Sequence, residues 1–319
     1  MRIQYYLVNA LLFSAMLPAM ADAERPLITK LGTLDCDMVE TTPLVWGNRL
    51  HRFEYVRENY HANKTGQSYF RIIEVGNGRT SEPFAQGFHL GSAFVHQGTV
   101  YVYAVPRWGG DAVHVFWSRD LENWESQPAL ELPGWGIYNT AVCASPQGFT
   151  MAFEIGEPPE EVGSRFTIRF ATSPDLKSWT LTEKDHVYSR EKYSACPTLR
   201  YLDGQYYMIY LEASYGEKGS SYAPHIVRSG DLVTWEESPR NPMMRHGAAD
   251  KRIANPALTD AQRTRIKDAV NVNNSDLDLC EFRGETHIVY SWGDQRGTEH
   301  LAEARYNGRE SDLLKAYFE

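Results

Sequence analysis

The chain has 319 residues, of which 41 are acidic and 32 basic, giving a net charge of -9 with no block of lysine and arginine along it. That balance argues against a nucleic-acid partner, which needs a basic stripe or patch, and weakly against a strongly anionic polysaccharide. Four cysteines, Cys36, Cys143, Cys196 and Cys280, lie too far apart for a disulfide scaffold. They read as buried free thiols, with a single disulfide as the alternative.

Residues 1–23 carry Arg2, an apolar stretch from Tyr5 to Leu17, and small residues at Ala19, Ala21 and Ala23. This pattern predicts a secretory signal peptide and a secreted or periplasmic mature chain, a membrane-tethered leader being the alternative. Nothing later reaches the roughly 18 apolar residues of a membrane-spanning helix, so no membrane partner is expected. Oligomeric state is left open by the sequence.

Residues 24–319 are organised by a repeat. Ser118-Arg-Asp120-Leu121-Glu-Asn-Trp124, Ser173-Pro-Asp175-Leu176-Lys-Ser-Trp179 and Ser229-Gly-Asp231-Leu232-Val-Thr-Trp235 recur at spacings of 55 and 56 residues. Repeats of that length in β-rich sequence indicate propeller blades. Ser and Asp close a turn through side chain to backbone hydrogen bonds, while Leu and Trp fill the gap to a neighbouring unit. Each motif follows an alternating strand, at residues 112–117, 166–172 and 225–228.

Upstream of these strands lie hairpins. They begin at Thr42, Ser92, Thr140, Cys196 and Leu277, and five hairpins predict five blades of an all-β propeller in one domain. The outer blades lack the Ser-x-Asp-Leu-x-x-Trp motif but keep neighbouring strands at residues 69–75 and 300–305. The tail from Glu310 to Phe318 is expected either to finish the last blade or to cap it as a helix. Between blades four and five the step lengthens to about 80 residues, an insertion in which Thr259-Asp-Ala-Gln262 has the pattern of a capping box opening a short helix to about Val270.

The hairpins, the Asp-Leu-x-x-Trp elements and the blade count together resemble the five-bladed propeller glycosidases of glycoside hydrolase families 43, 32 and 117, over nearly the whole mature chain. Tyr193-Ser-Ala-Cys-Pro197, Asn273-Asn-Ser-Asp-Leu-Asp278 and Tyr290-Ser-Trp-Gly293 are similar to phrases in bacterial proteins of that group. The resemblance implies a carbohydrate substrate of plant or algal type. It also sets the family 43 carboxylates at positions matching Thr42, Thr140 and Ala195-Cys196, none of which is an acid here. A calcium ion in the axial channel is implied by the resemblance alone; the sequence has no metal-binding motif, and no cofactor is expected.

Candidate chemistry follows from where strands start and return at one face of such a ring. Strand starts offer Asp37, Glu40, His89, Ser92, Asn139, Ser194, Asp276 and Asp278, and returning strands offer Glu54, Glu154, Glu212 and Asp294. Glycoside hydrolysis needs a proton donor for the leaving oxygen and a carboxylate that activates water or attacks the anomeric carbon. Counted back from the hairpin glycine, Asp276 matches Cys196 and Thr140, and is the expected base or nucleophile; Glu40 and Glu212 are the expected donors. His89, Trp108, Asn139, Ser194, Trp292, Glu154 and Asp278 are expected to bind sugar, the two indoles by stacking on a pyranose face. Two rivals keep the fold: a non-catalytic carbohydrate-binding module, and a polysaccharide lyase using His89 with a tyrosine.

Overall fold

The computed structural model describes residues 25–57, 67–164, 166–216 and 219–319, so the leader expected over 1–23 lies outside the described residues. Five antiparallel sheets follow one another around a ring. Blade one contains β2 (Val39–Trp46), β3 (Arg49–Arg57) and β4 (Ser68–Glu74); blade two contains β5 (His89–His96), β6 (Thr99–Val105), β7 (Ala112–Ser118) and β8 (Glu125–Glu131). Blade three is β9 (Gly136–Ser145), β10 (Gly148–Glu157), β11 (Thr167–Ser173) and β12 (Thr180–Leu181). Blade four is β13 (Ser194–Leu202), β14 (Gln205–Gly216), β15 (Gly219–Ser229) and β16 (Glu236–Glu237). Among the described residues three α-helices decorate this ring: α1 (Pro159–Val162), α2 (Asp260–Asp268) and α3 (Glu310–Ala316).

Blade five closes the ring with strands from both ends of the sequence. Its inner strands are β17 (Ser275–Phe282), β18 (Glu285–Gly293) and β19 (Glu299–Tyr306), and its outermost strand is β1 (Thr29–Cys36), antiparallel to β19. The C-terminal tail therefore does not supply that strand. It forms α3 instead, whose Leu313 and Leu314 are buried with Tyr317 in the core shared by blades four and five. Trp292 Nε1 donates to Thr33 Oγ1 at 2.9 Å, locking β1 to its blade.

The local sequence explains the hairpins. In four blades the turn is two residues long with both in the left-handed region: Gly47-Asn48, Gln97-Gly98, Asp203-Gly204 and Arg283-Gly284. Turns of that hand match the right-handed twist of the flanking strands. The repeated motif closes the third-to-fourth strand connection identically three times. Ser173 Oγ accepts from the Leu176 backbone at 2.9 Å and Asp175 Oδ1 accepts from Lys177 and Ser178 at 2.8 Å, with matching bonds around Ser118/Asp120 and Ser229/Asp231. Leu121, Leu176 and Leu232 are thereby held at φ of 64°, 67° and 65°, an uncommon conformation for a bulky side chain.

The motif tryptophans reach back to the preceding unit, as the sequence predicts. Trp124 stacks on Phe84 at 3.8 Å, Trp179 meets Tyr103 edge-on at 5.6 Å, and Trp235 lies over Phe170 at 5.6 Å. Large aromatic area between wedge-shaped blades contributes to the cohesion of the ring. All four cysteines are free, and no helix among the described residues is long and apolar enough to cross a membrane.

The insertion before blade five carries the expected capping box: Thr259 Oγ1 accepts from Gln262 N at 3.3 Å, and the Gln262 side chain accepts from Thr259 N at 3.0 Å. It is tied to β1 and β18 through Asp250. That buried carboxylate accepts from Lys30 Nζ at 2.5 Å, Tyr290 Oη at 2.9 Å, Asn271 Nδ2 at 2.8 Å and Gly247 N at 2.7 Å.

Candidate active site

Each inner strand carries a bulge near its start, where two residues oppose one on the second strand; the registers skip between Val39 and Thr42, His89 and Ser92, Ile137 and Thr140, Ala195 and Thr198, and Ser275 and Asp278. Bulges re-aim side chains and are frequent beside functional sites. Six residues before the last paired residue of each hairpin stand Glu40, Leu90, Asn139, Cys196 and Asp276, one per blade. All five line a single cleft of about 930 Å³ on the axis. Four of them, Glu40, Leu90, Cys196 and Asp276, have φ between 47° and 55°.

Asn139, not Thr140, is thus the blade-three counterpart of Asp276. Counting from the glycine fails there because Gly148 is paired with Ser145, leaving Pro146 and Gln147 as the turn. Thr140 instead bonds Ser92 Oγ at 2.8 Å. Both line the narrow axial channel below the cleft, with Thr42, Thr198 and Asp278.

Glu154 and Glu299 join Glu40 and Asp276 at the cleft floor. Glu154 Oε2 accepts from Asn139 Nδ2 at 3.0 Å and from the Cys196 backbone at 2.8 Å. Glu299 accepts from Gln295 N at 2.9 Å and Asn273 Nδ2 at 3.3 Å. Arg57 Nη1 lies 3.9 Å from Glu40 Oε2, an oxygen with no hydrogen-bond partner among the described residues.

Burial disfavours the charged form of every one of these acids, and their mutual repulsion adds to it. The Glu154 carboxyl is pushed up to about 7 and that of Glu299 to about 8, each by desolvation first and by the charge of Asp276 as a lesser cause. Glu40 is raised well above the carboxylate range by burial, opposed by Arg57 and reinforced by Asp276. Asp276 is raised by burial, opposed in part by the nearby polar groups of Ser275, Cys196 and Ser291 and by the charge of Arg57.

Above the floor runs an arc of aromatic side chains in successive edge contact. Trp108 meets Tyr138 at 6.1 Å, Tyr138 meets Phe166 at 5.1 Å, Phe166 meets Tyr193 at 5.7 Å, and Tyr193 meets Tyr222 at 6.0 Å. All five line the cleft. Of these only Trp108 is expected from the sequence to bind sugar; Phe166 and Tyr193 immediately precede β11 and β13, Tyr138 and Tyr222 lie within β9 and β15, and nothing in their spacing separates them from blade-packing aromatics.

Of the expected site residues, Glu40, Asp276, Glu212, Trp108, Asn139 and Glu154 line the cleft. Glu212 stands on its wall, its Oε2 meeting Tyr210 Oη at 2.5 Å, His225 Nδ1 at 3.5 Å and Lys192 Nζ at 3.8 Å. Four expectations are corrected by packing. Trp292 is 0% exposed, bonded to Thr33 and packed on His300, with no face free for a sugar. His89 is buried beneath Leu90, its Nδ1 bonded to Tyr55 Oη at 2.8 Å, and it does not reach the cleft, which also removes the group on which lyase chemistry was to depend. Ser194 is fully buried between strands, and Asp278 points into the channel, where Arg200 holds it at 2.9 Å.

Glu54, Asp37 and Asp294 are also engaged elsewhere. Arg52 and Arg71 bind Glu54 at 2.5 and 2.7 Å, Arg265 binds Asp37 at 2.8 Å, and Asp294 caps its own loop through Arg296 N and Thr298 N. The channel does not suit a calcium ion. Ser92 and Thr140 bond each other, Thr42 and Thr198 bond the backbone, Thr41 Oγ1, without a partner among the described residues, is a single neutral oxygen, Asp278 is neutralised by Arg200, and no three His, Cys, Asp or Glu side chains among the described residues converge on one point.

No family model and no curated protein matches the sequence. Solved structures do. A glycoside hydrolase superimposes with a TM-score of 0.57 at 15% identity, covering 91% of this chain and 94% of its own. The xylan β-1,4-xylosidase of Bacillus halodurans C-125 gives 0.56 at 13% identity over 89% of this chain and 56% of its own. The α-L-arabinanase of Cellvibrio cellulosa, complexed with arabinohexaose, gives 0.52 at 13% identity over 90% and 98%. The chain shares their five-bladed propeller fold.

Proposed function

We propose that the protein is a secreted glycoside hydrolase acting on a plant or algal type oligo- or polysaccharide within the axial cleft. Asp276 supplies the base or nucleophile, and the proton donor is one of the other acids of the cleft, Glu40, Glu212 or Glu154. One observation carries this reading: several buried carboxyls with raised proton affinity share the floor of a cleft walled by aromatic rings. Paired acids of differing proton affinity are what cleavage of a glycosidic bond requires, and ring faces or edges suit the apolar face of a sugar.

Secretion rests on the leader pattern of residues 1–23, and the choice of plant-type glycans on the arabinanase and xylosidase among the structural neighbours. The rival reading, carbohydrate binding without turnover, is favoured by one residue. Blade four contributes Cys196 to the ring of cleft positions, a thiol whose proton is held well above the ordinary range by burial and by Asp276. Incubation with arabino- and xylo-oligosaccharides decides between the two: new reducing ends support hydrolysis, whereas calorimetric binding with no product after prolonged incubation selects the binding module.

A further inference from the structure

We infer that Glu154 is the proton donor of the reaction proposed above, oriented for it by the Asn139 side-chain amide and the Cys196 backbone N–H; the assignment rests on the hydrolase reading of this cleft. A donor must be held in one orientation, keep one oxygen free for its proton, and face the substrate. Glu154 meets all three conditions. Its Oε2 is fixed by two donors at 3.0 and 2.8 Å, Oε1 makes no hydrogen bond to a described residue, and the side chain lines the cleft floor.

The other carboxyls fail on geometry. Glu299 has both oxygens engaged, by Gln295 N and Asn273 Nδ2. Glu212, like Glu154, has one oxygen engaged, by a hydroxyl, an imidazole and an ammonium, but it stands on the cleft wall, away from the floor that Glu154 shares with Asp276. Glu40 has no donor fixing it, its nearest described partner being Arg57 at 3.9 Å. Glu154 is also the carboxyl whose proton affinity, about 7, suits repeated transfer near neutrality. Asp276 complements it on the same cleft floor, beside Cys196, whose sulfur lies 3.5 Å from Asn139 Nδ2.

In the step, the Glu154 O–H proton passes to the glycosidic oxygen as the bond from that oxygen to the anomeric carbon breaks. Water supplies its oxygen to that carbon and gives one proton to Asp276. Exchange with solvent then reprotonates Glu154 and deprotonates Asp276, so the net change is the addition of one water across the bond.

The test compares Glu154→Gln, Asp276→Asn and Asn139→Ala on an oligosaccharide and on a dinitrophenyl glycoside, whose leaving group needs no proton. Glu154→Gln is expected to lose about 10²- to 10⁴-fold on the oligosaccharide but about tenfold or less on the activated substrate, and to lose the alkaline limb of its pH profile near 7. Asp276→Asn is expected to lose both activities alike. Asn139→Ala, which removes a donor that favours the Glu154 carboxylate, moves the alkaline limb to higher pH. Equal losses on both substrates for Glu154→Gln, or a retained alkaline limb, overturn the donor assignment alone. Wild-type protein without turnover overturns the hydrolase reading and the donor with it, whereas full turnover by Asp276→Asn overturns Asp276 as the base.

Discussion

Glu40 and Asp276 occupy the same bulge position in the first and last blades, and the charge of Asp276 helps hold a proton on Glu40. These buried acids therefore cost the fold stability, a trade common where a site is built for chemistry.

That cost has a pH signature. Glu154 and Glu299 bind protons more tightly in the native than in the unfolded chain, so the native state holds more protons between about pH 4.5 and 8 and stability falls as pH rises through that window. For Glu154 the change from 4.5 to about 7 corresponds to ~3 kcal/mol. Thermal melts are expected to show a lower Tm at pH 8 than at pH 5, with a flatter dependence for Glu299→Gln. A Tm that rises over this range, or an unaltered slope in the variant, contradicts the account of the floor.

Ring closure depends on Asp250, which ties β1, β18 and the insertion together. Removing this fully buried partner leaves the Lys30 ammonium, 13% exposed, without its counter-charge. Loss of one member of a buried pair costs about 3 to 5 kcal/mol, so Asp250→Ala is expected to lower Tm by roughly 10 °C. The exposed pair Arg49–Glu74 offers the comparison, because Arg49→Ala should cost under about 1 kcal/mol. Equal effects of the two substitutions would show that the clasp is not held through Asp250.

The turn motif makes a separate prediction at acid pH. Burial is the largest single influence on Asp175 and raises it, but hydrogen bonds from the backbone of Ser178 and Lys177 and from Ser173 together outweigh it and hold the carboxylate below its ordinary range, and Asp231 is held down by the backbone of Thr234 and Val233. Their contribution is present above the unfolded value near 4 and is lost as pH falls below it. Asp175→Ala should cost about 1 kcal/mol at pH 7 in chemical denaturation and less at pH 3. A cost that grows on acidification refutes this role.

The architecture was legible because blade packing repeats. Ser-x-Asp-Leu-x-x-Trp needs a Ser and an Asp to close the turn and a Trp to fill each wedge, so three copies at near-constant spacing expose the ring, and alternation supplies the strands. Closure was less legible, since β1 pairs with β19 through backbone bonds that no side-chain pattern announces. The site was legible by class of position and not by side-chain direction. Glu54 and Glu154 both lie on second strands, yet measured from their turns they differ by one residue in phase, and one residue in a strand sends a side chain to the opposite face. Glu54 therefore meets Arg52 and Arg71, while Glu154 meets Asn139 and Cys196. Trp292, one residue past Ser291, turns inward for the same reason.

The most direct test is a crystal structure of Asp276→Asn soaked with an arabino- or xylo-oligosaccharide. The account predicts a sugar chain in the axial cleft against the Trp108–Tyr222 arc, with a glycosidic oxygen within about 3 Å of Glu154 Oε1 and the anomeric carbon facing residue 276. Sugar bound on the outer wall or the opposite face of the ring, with no glycosidic oxygen near Glu154 or residue 276, would contradict it.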